Sequence, residues 1–137
     1  MQMISGLSHI TLIVKDLEKT AALYKHIFDA QEIYSSAEHT FSIAREKFFL
    51  IGGLWLCIME GESLPQCTYN HIAFKVDENA LEDFIDRLHA TSVEVKPERP
   101  RVSGEGRSVY FYDYDNHLFE LHIGTLDERL ARYAREE

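Results

Sequence analysis

Two stretches of the chain repeat each other 62 residues apart, and this repeat constrains the fold more than any other feature. Ser8-His9-Ile10-Thr11-Leu12-Ile13-Val14 aligns with Asn70-His71-Ile72-Ala73-Phe74-Lys75-Val76. Both segments alternate and are rich in β-branched residues, so each reads as a strand. Acidic helix-start chemistry follows in both, Asp16 in the first copy and Asp77-Glu78-Asn79 in the second. Leu17, Ala21, Tyr24 and Phe28 then recur at helical spacing, as do Leu81, Phe84, Ile85 and Leu88. Three strand-like runs close each copy. They are Gln31–Ser35, residues 40–44 leading on to 48–51, and 54–59 in the first copy, and 93–96, Ser108–Tyr112 and 118–123 in the second. Gly52-Gly53 and Asp113-Tyr114-Asp115-Asn116 supply matching turns.

The expected fold is therefore α+β, built from two tandem βαβββ units. One domain covers residues 4–124, with unit one at 4–62 and unit two at 66–124, divided near Gly61 and Pro65. Residues 125–137 form a charged C-terminal helix with Leu126, Leu130 and Tyr133 on one face. The loop 97–107 carries Pro, Gly and Arg. A chain of 137 residues, 45% hydrophobic, can build a core, but neither half holds enough alone. The copies must pack on each other or on a second chain.

A net charge of -9, from 14 basic and 23 acidic residues, argues against nucleic acid or an anionic membrane surface as partner. It leaves room for a small anion held by local arginines and a metal ion. No apolar run reaches the roughly 18 residues a membrane span needs, and the N-terminus has no charged leader-like region. A cytoplasmic location is expected. Cys57, inside the apolar run 54–59, reads as a buried, inert thiol, and two cysteines do not make a disulfide scaffold.

The repeated histidines, His9 and His71, occupy the same place on equivalent strands. Glu120, in Leu118-Phe119-Glu120-Leu121-His122, is a charge inside an apolar strand, sharing a face with Leu118 and His122. Two units paired about a pseudo-twofold axis bring equivalent residues together, and imidazole with carboxylate suits Zn, Fe, Ni or Mn. The distance from His71 to Glu120, counted on from His9, ends at Ile58, which cannot ligate. Three ligands and open positions are the pattern of a catalytic metal. His117 falls in a turn and His122 is placed to support a ligand, while His26, His39 and His89 read as surface residues.

The paired [Ser/Asn]-His-Ile strands and the segment Tyr112-Asp113-Tyr114-Asp115-Asn116-His117-Leu118-Phe119-Glu120 resemble the vicinal oxygen chelate superfamily, which includes glyoxalase I and extradiol dioxygenases. Leu54-Trp55-Leu56-Cys57, Thr68-Tyr69-Asn70-His71, Gly104-Glu105-Gly106-Arg107-Ser108 and Glu120-Leu121-His122-Ile123-Gly124 narrow the resemblance to fosfomycin-resistance proteins. It runs from about residue 4 to 133. Residues 45–51 and 96–102 are most similar to the FosX branch, the fosfomycin epoxide hydrolases.

That resemblance implies Mn²⁺ as metal, fosfomycin and water as reactants, and a domain-swapped homodimer in which His9 meets His71 and Glu120 of the other subunit. It implies that Glu46 is the general base; the residues alone read it as a solvated edge charge between Arg45 and Lys47. It points to Arg129, Ser108 and Tyr110 for the phosphonate, with Thr11 near the metal, Trp55 and Tyr69 on the pocket wall and Arg101 as a second cation. Three other activities stay open: thiol transfer to fosfomycin, another reaction of the same superfamily such as dioxygenation or isomerisation, and metal-free sequestration of the antibiotic.

Overall fold

The computed structural model describes residues 2–39, 44–96 and 107–135. The chain divides into two compact units, Met1–Leu64 and Pro65–Glu137. The first runs β1 (His9–Val14), α1 (Leu17–Phe28), β2 (Gln31–Ser35), β3 (Glu46–Ile51) and β4 (Leu54–Glu60). The second runs β5 (His71–Lys75), a 3-10 turn (Glu78–Ala80), α2 (Leu81–His89), β6 (Val95–Lys96), β7 (Ser108–Tyr112), β8 (Leu118–His122) and α3 (Leu126–Ala134). The sheets have the same strand order, β1-β4-β3-β2 and β5-β8-β7-β6. In each, the first strand pairs parallel to the last and the remaining pairs are antiparallel. The α+β fold of two βαβββ units expected from the repeat is what forms.

Asp16 caps α1, its carboxylate accepting from the Lys19 amide at 3.0 Å. Leu17, Ala21, Tyr24 and Ile27 point from the helix onto the sheet face that carries Phe49, Leu56 and Ile58, all buried. Tyr24 meets Phe49 edge-on, ring centroids 6.3 Å apart. Each fully buried apolar side chain of this kind contributes about 1.5–3 kcal/mol relative to exposure. In the second unit Phe119 stacks between Phe74 and Phe111, and α2 buries Leu81 and Leu88. The acidic start of the second helix forms the 3-10 turn after Asp77, which makes no side-chain cap bond, and α2 proper begins at Leu81.

Several boundaries move. The strand expected over 40–44 and 48–51 begins at Glu46, with residues 40–43 outside the described residues. The strand expected from 93 is only Val95–Lys96, because the Thr91 hydroxyl accepts the Val93 amide and extends the turn after α2. β4 reaches Glu60, one residue further than its apolar run. The C-terminal helix forms, with Thr125 as its cap, but buries nothing; Leu126, Leu130 and Tyr133 are more than half exposed. Among the described residues no helix is long and apolar enough to cross a membrane.

The register overturns one expectation. His9 pairs with Trp55 and Thr11 with Cys57, while His71 pairs with Leu118 and Ala73 with Glu120. Glu120 therefore has Cys57, not Ile58, as its counterpart in the first unit. From His9 to His71 is 62 positions, but from Cys57 to Glu120 is 63. The extra residue lies in the turn between β7 and β8, whose paired residues Tyr112 and Leu118 enclose one more position than their counterparts Leu50 and Trp55. Side chains alternate along a strand, so this single residue decides which face is presented. Ile58 lies on the α1 face, fully buried.

Candidate active site

In each unit the sheet face opposite the apolar one carries the polar chemistry. In the second unit it presents His71, Ser108, Tyr110, Glu120 and His122, brought into line by the pairings Tyr110–Glu120 and Ser108–His122. The Glu120 carboxylate is buried, 5% exposed. Its Oε1 lies 3.1 Å from His71 Nε2. Its Oε2 accepts from Ser108 Oγ at 2.5 Å and lies 3.1 Å from His122 Nδ1, which is 2.6 Å from the same hydroxyl. His71 Nδ1 donates to the Tyr69 carbonyl at 2.8 Å, which leaves Nε2 as the ring's lone-pair nitrogen when the imidazole is neutral.

A neutral imidazole lone pair facing a carboxylate oxygen is repulsive unless a cation lies between them. The spacing of 3.1 Å suits neighbouring donors on an ion held at about 2.0–2.2 Å from each. One carboxylate oxygen is thus aimed at the His71 nitrogen and the other is tied down by Ser108 and His122. Hydrogen bonds of this kind orient a ligand and raise metal affinity about 10–100-fold. If Glu120 ligates a metal, Ser108→Ala is expected to weaken divalent-metal binding within that range, read as the dissociation constant from a titration of the free ion.

His9 belongs to the first unit. Its ring lies tilted against Trp55, centroids 4.2 Å apart, and its Nδ1 meets Ser8 Oγ at 2.9 Å, which leaves Nε2 for another partner. Neither unit by itself gathers three His, Cys, Asp or Glu side chains in ligating positions among the described residues. Phe48 packs edge-on against Trp55 at 5.2 Å. Thr11 and Cys57 pair across β1 and β4, and Glu46 opens β3 on the same face.

Glu46 is not the solvated edge charge its neighbours suggest; it is 7% exposed. Alternation turns Arg45 and Lys47 away from it. Arg45 forms a two-pronged ion pair with Glu60 and reaches Glu38, while Lys47 lies 3.1 Å from Glu18 and 3.3 Å from Glu32. The Glu46 amide donates to Ser36 Oγ at 2.9 Å, and its carboxylate lies 3.9 Å from Cys57 Sγ. Burial, and then the Glu46 charge, push the Cys57 thiol up to about 11. The inert thiol expected from the apolar run is therefore a protonated one beside a carboxylate.

Of the other candidates, Tyr110 packs edge-on to His71 at 5.8 Å. Tyr69 is 87% exposed, with its carbonyl, rather than its ring, holding His71. Arg129 is half-buried on α3, with neither Asp127 nor Glu128 as an ion-pair partner. Arg101 lies outside the described residues. His117 is a turn residue, its Nδ1 held by the buried Asp113 at 2.9 Å, and His26, His39 and His89 are exposed. Sequence reasoning missed the Glu46–Cys57 contact; its only signal was that both residues fall on one face once the β3–β4 register is known.

Residues 6–121 match the model of the Glyoxalase/Bleomycin resistance protein/Dioxygenase superfamily. Fosfomycin resistance protein FosX of Listeria innocua is 68% identical over 133 residues, covering 97% of this chain and 100% of that protein. The chain belongs to the FosX family of fosfomycin resistance proteins. A FosX structure from Listeria monocytogenes, a glutamate-to-glutamine mutant complexed with Mn(II) and 1S,2S-dihydroxypropylphosphonic acid, superposes with a TM-score of 0.87 at 64% identity, over 96% of this chain and 99% of that one. Metallothiol transferase FosB of Shouchella clausii shares 36%, over 97% of this chain and 90% of that protein. The chain thus stands nearer FosX than this transferase.

Proposed function

We infer that this FosX-family chain is a Mn²⁺-dependent hydrolase that opens the epoxide of fosfomycin to the vicinal diol and so inactivates the antibiotic. The observation that carries the reading is the likeness to a FosX structure holding Mn(II) together with a dihydroxypropylphosphonic acid, which is the diol expected when water adds to an epoxypropylphosphonate. The donors His71 and Glu120, held 3.1 Å apart, suit such a metal.

His71, Glu120 and His9 are proposed as the ligands. Because neither unit alone gathers three, His9 is proposed to come from the first unit of a second copy, in a homodimer with exchanged units. The open apolar stripe of Leu126, Leu130 and Tyr133 supports association of this kind. When bound, the metal supplies a Lewis acid that lowers the cost of negative charge on the epoxide oxygen.

The chain's own residues supply the rest. Glu46 takes a proton from water, the resulting hydroxyl bonds to an epoxide carbon, and that carbon's bond to the ring oxygen breaks towards oxygen. The ring oxygen then takes up a proton, so the net change is addition of one water. Arg129 and Tyr110 are proposed to pair with the phosphonate, with Arg101 as a second cation, and Thr11, Trp55 and Tyr69 as lining residues; a buried anion needs such partners. The Trp55 indole N–H is buried without an acceptor among the described residues, and an oxyanion would satisfy it. Ser108, first expected on the substrate, is supported better as the residue that orients Glu120. Two free thiols suit a reducing compartment and support a cytoplasmic location.

The deciding experiment incubates the Mn²⁺-loaded protein with fosfomycin, with and without glutathione, and identifies the product by mass spectrometry. The expected product is fosfomycin plus one water in both arms. A thiol adduct as the sole product assigns the chain to the transferases, an oxygen-dependent product to the dioxygenases, and intact fosfomycin retained in chelator to a sequestering protein.

A further inference from the structure

The two units hold a carboxylate and a small donor at the same two sheet positions, but with the strands exchanged. Ser108 on β7 pairs with His122, and Glu46 on β3 pairs with Met59; Ser108 and Glu46 are therefore counterparts, as are Glu120 and Cys57. In the second unit the donor stands on the third strand and the carboxylate on the fourth, and the donor ties down one carboxylate oxygen. In the first unit the carboxylate stands on the third strand and the small polar group on the fourth.

We propose that Cys57 is a positioning residue for the catalytic base, its S–H donating to Glu46 Oε1 and holding that carboxylate oriented for proton removal from water. This rests on the reading of Glu46 as the base.

The Sγ–Oε1 distance is 3.9 Å, at the outer reach of a sulfur hydrogen bond, with the Ile58 carbonyl at 3.7 Å as the competing acceptor. Among the described residues the thiol is the one side chain within hydrogen-bond reach of the Glu46 carboxylate. The charged groups nearby on β3, β4, β2 and α1 answer to one another: Arg45 to Glu60 and Glu38, and Lys47 and Lys25 to Glu32, with Glu18 also on Lys47. On β1, the His9 ring lies tilted against Trp55, and Thr11 is the strand partner of Cys57. The thiol is 3% exposed and stays protonated through neutral pH, so it donates and does not compete as nucleophile or metal ligand. A hydrogen-bond donor to a carboxylate favours its charged form over the neutral one.

The test is the pH profile of kcat/KM for the Mn²⁺-loaded protein and for Cys57→Ala, Cys57→Val and Cys57→Ser, with Glu46→Gln alongside. Activity requires the Glu46 carboxylate, so the acidic limb reports its protonation. Alanine and valine, which cannot donate, are expected to move that limb up by about 0.5 unit or more. They should also lower kcat about 10-fold, leaving KM for fosfomycin within about twofold. Serine, which donates, is expected to keep the limb at or below its original position. Valine fills the space of the thiol and decides the matter if the alanine variant folds poorly. A limb unmoved in the valine variant, with Glu46→Gln inactive, overturns the role of Cys57 and leaves Glu46 standing. Full turnover in Glu46→Gln overturns the base itself.

Discussion

Glu46→Gln is expected to bind Mn²⁺ as tightly as the parent chain and to lose about 10²–10⁴-fold in diol formation, the contribution a positioned general base makes. The substitution keeps the shape of the side chain and removes its charge. It leaves Arg45 and Lys47 undisturbed, since both are paired with other carboxylates on the opposite side of the strand. It also removes the charge of a buried carboxylate that, among the described residues, has only a thiol as hydrogen-bond partner, so folding should not suffer. Phosphorus NMR of the fosfomycin reaction gives the rate, and paramagnetic resonance of free Mn²⁺ gives the affinity. Unchanged turnover would sink the assignment of Glu46 as base.

Glu120→Ala is expected to have the larger effect on the metal, weakening Mn²⁺ binding by more than about 100-fold and hydrolysis with it. The reference is the about 10–100-fold effect of residues that only support a ligand, a group to which Ser108 belongs. Removing the carboxylate takes away one of three proposed donors and, with Oε2, the acceptor that the Ser108 hydroxyl and His122 Nδ1 now share. The order matters more than either number. If Ser108→Ala weakens Mn²⁺ more than Glu120→Ala does, then Glu120 is not the ligand and the hydroxyl network has another purpose.

The two experiments separate the faces of the two units. Glu46 belongs to the first unit and should alter chemistry without altering metal affinity. Glu120 and Ser108 belong to the second and should alter affinity first, with turnover recovering as Mn²⁺ is raised. A chain in which all three variants lost metal equally would show a collapse of the fold rather than separate roles.

Much of this was legible along the chain. The His-Ile strands, the helical spacing after Asp16 and the charge of Glu120 inside an apolar strand are local patterns, set by side-chain alternation and helix periodicity. From them came the two βαβββ units, the face of Glu120 and the pairing of imidazole with carboxylate. The burial of Glu46 was not legible, because the residues beside it are cations whose partners, Glu60, Glu18 and Glu32, come from other elements. Nor was the role of Ser108 in holding Glu120, which requires β7 and β8 to be in register.

The amino-acid order by itself determined which residues can ligate, which strands repeat and which sides of those strands are apolar, since each follows from neighbours a few positions away. Only the tertiary structure decided that Cys57, rather than Ile58, stands where the other unit has Glu120, and that a thiol therefore lies against Glu46. The reason is that pairing between strands is set by the length of the turn joining them. One additional residue between β7 and β8 moves every later match by one position, and with it from one face of the sheet to the other.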